Sequence, residues 1–150
     1  MTGYAFTNLI RKAAIAEAWL ERTVAAYPEP ARRFLLEEKD RFRNPVGHTL
    51  REGLAALLDE ALGEMDRARI TAVLDDVMHV RAVQDFTPTE AVAFLPALKP
   101  ILREHKLGTL DTRIDELALI ASDLYQQCRR QIEEIRARWH PLQPVAPQLR

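Results

Sequence analysis

Apolar residues recur three and four apart along almost the whole chain, with charged residues between them, and this pattern predicts helices. From about Asn8 to Tyr27 the stripe is Leu9, Ala13, Ala16, Leu20 and Val24, with Trp19 beside it; Thr7 reads as its N-cap and Tyr27-Pro28 as its end. A short helix from about Pro30 to Asp40 turns Phe34, Leu35 and Leu36 inward and Arg32, Arg33, Glu37 and Glu38 outward. A polar link follows, with Phe42 expected as an aromatic plug in the core. Asn44 and Pro45 then read as N-cap and first helical residue of a helix to about Leu62. Its stripe is Val46, Leu50, Leu54, Leu57 and Leu58; the interior Gly47 and Gly53 predict close helix crossings, and Gly63 stops it. The next helix runs from about Asp66 to Gln84 on Ile70, Val73, Leu74, Val77, Val80 and Val83.

Thr87-Pro88-Thr89-Glu90 is a capping box with proline at the first helical position. The helix it opens carries Val92, Phe94, Leu95, Leu98, Ile101 and Leu102, and Pro96 and Pro100 predict that it kinks or splits before Leu107-Gly108. A last helix starts at Thr109 or Asp111 and reaches Trp139, roughly 45 Å at 1.5 Å per residue. His140-Pro141 ends it, and Pro141, Pro144 and Pro147 predict a flexible tail over 141–150. No repeat and no strand pattern is visible. The expectation is an all-α, single-domain bundle of about five to six helices over 1–140, comparable in size to a globin, with a long C-terminal helix.

That last helix carries a seam. Ile114, Leu117, Ala121, Leu124 and Cys128 alternate three and four apart, and the stripe drifts on to Ile132, Ile135 and Trp139. Beyond Cys128 the neighbours are Arg129, Arg130, Glu133, Glu134, Arg136 and Arg138. A narrow apolar strip in a charged sheath predicts a partner helix, and a homodimer built on this helix is the expectation.

Composition narrows the chemistry. The 150 residues carry 21 Lys plus Arg and 22 Asp plus Glu, a net charge of -1, which argues against a nucleic-acid partner. One cysteine excludes an internal disulfide or a cysteine-based zinc site. No apolar run approaches the ~20 residues of a spanning helix, and the start lacks a secretory signal, so a cytoplasmic location is expected. Gly-rich phosphate loops, H-E-x-x-H and G-x-S-x-G are all missing. Asp75, Asp76 and His79 share a helix flank and are the best ligand-like cluster, although an exposed ion pair is the simpler reading. A haem would need an axial ligand from His48, His79, His105 or His140, all with polar neighbours. No cofactor is expected. A small-molecule pocket between helices is the alternative function, with Trp19, His79, Phe86 and Phe94 as candidate lining.

Two segments carry more specific information. They are FLLEEKDRFRNPVGHTLREGLAALL, 34–58, and VRAVQDFTPTEAVAFLPALKPILR, 80–103. The strings EKD-x-F-x-NPVG and RAVQDF-[ST]-P resemble the N-terminal domain of the RsbRD-type co-antagonist proteins, relatives of the stressosome RsbR proteins. The resemblance implies an all-α sensory or regulatory module of bacterial signalling, not an enzyme, with no catalytic residues to transfer and an unidentified signalling or effector protein as partner. In that family the module commonly precedes an output domain such as a STAS domain; here the chain ends at Arg150, and a module acting without one is expected. The signature residues are Asp40, Phe42, Asn44, Pro45, Arg81, Gln84, Asp85, Thr87, Pro88 and Glu90, and structural roles are expected of them. Charge and signature position suggest that Arg81 pairs with Asp40 or Asp85 where the two segments meet.

Overall fold

The computed structural model describes residues 3–139, and side chains from residue 8 on. Among the described residues the chain is mainly helical, with no strand. The helices are α1 (Gly3–Val24), α2 (Ala31–Glu37), α3 (Pro45–Leu62), α4 (Arg67–Val83), α5 (Pro88–Val92), α6 (Leu98–Glu104) and α7 (Asp111–Trp139), with a 3-10 turn at Gly108–Leu110 before α7. The proline-rich tail expected over 141–150 lies outside the described residues.

Local signals set most boundaries. The Asn44 side chain accepts from Gly47 N at the start of α3, Asp66 accepts from Arg69 N at the start of α4, and the Thr87–Glu90 box is closed in both directions at α5. The expected single helix after Thr87 is two, because Pro96 has no N–H to give. Through the turn at 93–97 the backbone bonds shorten to the three-residue type, Leu98 N to Leu95 O at 3.0 Å and Lys99 N to Pro96 O at 3.1 Å. Pro100 is tolerated in the first turn of α6, where a missing N–H leaves no acceptor unpaired.

The core forms where α3 packs between α1 and α4, and α4 packs along α7. Arg113 at the start of α7 donates to Ala61 O (2.9 Å) and Gly63 O (2.8 Å), just before α4, while Arg129 donates to Ala82 O (3.2 Å) near the end of α4. The two helices therefore run parallel. Gly53 permits the α3–α4 crossing, since a Cβ there would sit 2.9 Å from Val77 Cγ2. Gly47 has a different use from the crossing expected of it: a Cβ would overlap the Asn44 amide, so the glycine makes room for the cap.

Several faces differ from the reading of the stripe. α1 begins at Gly3, so Thr7 lies inside it, and Leu9 and Ala13 are exposed while Ile15, Trp19, Leu20 and Val24 enter the core. Phe34 is 47% exposed and only Leu35 of its trio is buried, because three consecutive helical residues, each turned about 100° from the last, cannot share one inward face. Phe42 does not plug the core. It is 83% exposed in the link to α3, with the Arg41 guanidinium 5.1 Å from its ring.

Candidate functional site

The two signature segments build adjoining junctions. At the first, Asn44 is buried, and its side chain joins two helices. Its Oδ1 accepts from Gly47 N at 2.9 Å, and its Nδ2 lies within reach of the carbonyls of Leu35 (3.1 Å), Glu38 (3.1 Å) and Phe34 (3.3 Å). One amide thus caps the start of α3 and the end of α2 together. Asp40 shapes the link rather than meeting Arg81: its Oδ1 accepts from Phe42 N (2.8 Å) and its carbonyl from Asn44 N (2.9 Å). Pro45 occupies the first turn of α3.

At the second junction, Gln84 caps α4, and its Oε1 accepts from the Tyr27 hydroxyl at 2.6 Å, which ties the end of α4 to the chain after α1. Asp85 follows with φ 59°, a left-handed turn that an aspartate tolerates better than most residues. Phe86 O accepts from the Tyr125 hydroxyl of α7. Thr87 N donates to Glu90 Oε1 at 2.9 Å and Glu90 N to Thr87 Oγ1 at 3.2 Å; the bonds from Thr87 hold the Glu90 carboxyl below the usual range. Pro88 is the first residue of α5.

Arg81 does not make the expected ion pair. Asp85 instead accepts from Arg129 at 2.8 Å, with Arg136 at 3.9 Å, and the Arg129 hydrogen bond keeps its carboxyl below the ordinary carboxylate range. Arg81 points the other way, into the protein, and is 1% exposed. Its guanidinium carbon lies 4.7 Å from the Phe86 ring centre, 5.4 Å from Phe94 and 5.8 Å from Tyr27. Burial pushes the Arg81 pKa down and that of Tyr27 up. A sequence signal for this existed: Arg81 continues the stripe of Ile70, Leu74 and Val77 at four-residue spacing, and so occupies a core position.

The lining expected of a small-molecule pocket is dispersed. Trp19 and Phe94 are stacked on each other, with centroids 6.1 Å apart, and Trp19 Nε1 donates to Phe94 O at 2.6 Å. Phe86 is in the Arg81 box. His79 is exposed on another face, its Nδ1 3.5 Å from the Cys128 sulfur. Arg81 thus occupies the space between Phe86 and Phe94 where a ligand was expected. Burial raises the pKa of the Cys128 thiol, which opposes a reactive thiolate. Among the described residues no group of His, Cys, Asp or Glu is arranged to hold a metal, and Asp75 and Asp76 are exposed. His48 and His79 are exposed and His105 is half-buried, so none is presented to an apolar haem pocket; His140 lies outside the described residues.

The seam of α7 divides at Cys128. Ile114, Leu117, Ala121, Leu124 and Cys128 are buried in the subunit's own core, mainly against α4, and are unavailable to a partner. Ile132 is half-buried. Past it every described residue is exposed, with Ile135 at 53% and Trp139 at 62%. Val83 of α4, 65% exposed, adds to this apolar surface: one turn along both parallel helices from the His79–Cys128 contact come Val83 and Ile132.

No curated protein and no solved structure matches the chain. The sequence pattern of the RsbT co-antagonist protein rsbRD N-terminal domain matches residues 13–108, which span both signature junctions and the whole bundle except α7 and the first turns of α1. The chain belongs to this family of RsbT co-antagonist N-terminal domains.

Proposed function

We propose that the protein is a non-enzymatic regulatory domain of bacterial signalling that acts through protein contacts, as a homodimer joined along the distal part of α7 and open to a further signalling partner. One observation supports this reading above the others. The apolar seam of α7 continues past the last buried residue, Cys128, to exposed Ile135 and Trp139 inside a sheath of arginine and glutamate. Apolar residues at helical spacing, in a stretch that no other described residue covers, fit association with another helix. Family membership supports the regulatory role. Among the described residues no helix is long and apolar enough to cross a membrane, and the one cysteine is free, which suits the reducing cytoplasm.

Light scattering on the purified chain at tens of micromolar tests the reading. The expected mass is twice 17.2 kDa. Replacing Ile135 and Trp139 together by Glu is expected to give the single-chain mass with the helical content kept. A wild-type chain that stays at the single-chain mass removes the dimer from the account.

A further inference from the structure

Two features of the molecule have no use inside one chain. The first is Phe42, a large apolar side chain that is 83% exposed. Its backbone is fixed. Asp40 Oδ1 accepts from Phe42 N at 2.8 Å, Asp40 O accepts from Arg43 N (3.2 Å) and Asn44 N (2.9 Å), and Glu38 Oε1 accepts from Asp40 N at 3.2 Å. The ring is therefore held out on an ordered link, which lowers the cost of placing it against a partner. Arg41 and Arg43 flank it, both exposed, and among the described residues neither makes an ion pair. The two acids of the link, Glu38 and Asp40, accept from backbone N–H groups instead. An exposed aromatic between two arginines has the composition of an interface centre.

The second feature is a cleft of about 330 Å³ between α3 and α4. Gly53, Ala56 and Val73 give it an apolar lining, Glu52 of α3 and Asp76 of α4 line it from opposite helices, and His48 and Thr49 complete it. Glu52 and Asp76 are exposed and, among the described residues, in no ion pair. An apolar lining between two unpaired carboxylates is the counterpart of an apolar ring between two unpaired guanidinium groups. We propose that Phe42 of one chain docks in the α3–α4 cleft of a second copy, with Arg41 and Arg43 set against Glu52 and Asp76. A chain does not fill its own cleft in this way, since Phe42 stays exposed in the folded subunit. Contacts of this small size are weak and transient, so the α7 dimer forms at tens of micromolar without it. None of the contact residues belongs to α7, so the contact goes beyond that dimer and joins one dimer to the next.

Sedimentation equilibrium of the full chain carrying Ile135→Glu and Trp139→Glu, from tens of micromolar to about 1 mM, isolates this contact from α7. The mass is expected to rise with concentration above the single-chain 17.2 kDa. Adding Phe42→Ser is expected to weaken association by at least about tenfold. Arg41→Glu with Arg43→Glu, and separately Glu52→Arg with Asp76→Arg, are each expected to weaken it by a similar factor. Mixing these two charge-reversed chains is expected to restore association, an outcome that damage to the fold would not produce. All of these positions are exposed, so the fold is expected to be kept. The amide resonances of Gly53 and Ala56 are expected to move with concentration in the parent chain and to stay fixed after Phe42→Ser. A mass that holds at the single-chain value over the whole range, association unchanged by Phe42→Ser, or a charge-reversed mixture that fails to associate would each overturn the proposal. Because the α7 seam is disabled throughout, absence of the α7 dimer in light scattering leaves this result unaffected.

Discussion

The two ends of α7 carry the same kind of seam and meet different fates. From Ile114 to Cys128 the residues of the seam are covered by α4 and the rest of the bundle; Ile135 and Trp139 face solvent. Spacing on one helix establishes that a face is apolar, and the neighbouring elements decide what covers it. α4 ends at Val83 and the chain passes into the short α5, so the parallel neighbour stops while α7 continues. Arg129 and Arg136 clasp Asp85 at that point. The proximal half is therefore expected to govern folding, and the distal half association.

Substitutions that separate these roles should differ most. Leu117→Ala opens a cavity in the fully buried half and is expected to cost about 3–4 kcal/mol in urea unfolding, with association unaffected at temperatures where the chain is folded. Trp139→Ala is expected to shift the unfolding free energy of the single chain by no more than about 0.5 kcal/mol while weakening self-association. Equal stability losses at the two positions would erase the distinction. Asn44→Ala comes next in size, at about 3 kcal/mol, because it removes the cap of α3 and orphans buried carbonyls at the end of α2. Gly53→Ala is expected to cost about 1–3 kcal/mol by forcing α3 off Val77, measured the same way.

The smallest effect is at the clasp between the halves. The Asp85 carboxyl is depressed in the folded chain, so its contribution to stability is complete above the ordinary carboxylate range and is lost as the pH falls through the folded value. Asp85→Asn is thus expected to be slightly less stable than wild type at neutral pH, and the gap should close under acid conditions. A gap that stays constant with pH would show that the clasp is not ionic in origin.

Much of this architecture was legible because it is local. Asn44-Pro45 and Thr87 to Glu90 carry their caps within one turn, Gly53 marks a crossing, and the bounds of α7 follow from Asp111 and the proline after His140. The failures are tertiary. Phe42 looked like core by type but sits in a link whose backbone is fixed by Asp40, leaving its ring in solvent. Arg81 looked by charge like the partner of Asp40 or Asp85, although its position on the stripe of α4 places it among apolar side chains, and Asp85 went to α7 instead. The charged neighbours past Cys128 already set the distal half of the seam apart from the half at Leu117 and Leu124, but where the cover ends depends on the extent of α4. The four residues expected around a pocket fell on separate contacts because Arg81 fills the space between two of them.

The central claim, that the distal part of α7 is where a second copy docks, is tested most directly by a distance between chains. A spin label at Glu134→Cys, in a Cys128→Ala background, sits on the exposed stretch beside Ile135. Helices packed along the seam place their axes about 8–10 Å apart, so double electron resonance at tens of micromolar is expected to give a narrow, short distance between two chains, lost when Ile135 and Trp139 are both changed to Glu. A sample with no dipolar signal between chains, or one whose short distance survives those substitutions, would contradict the account.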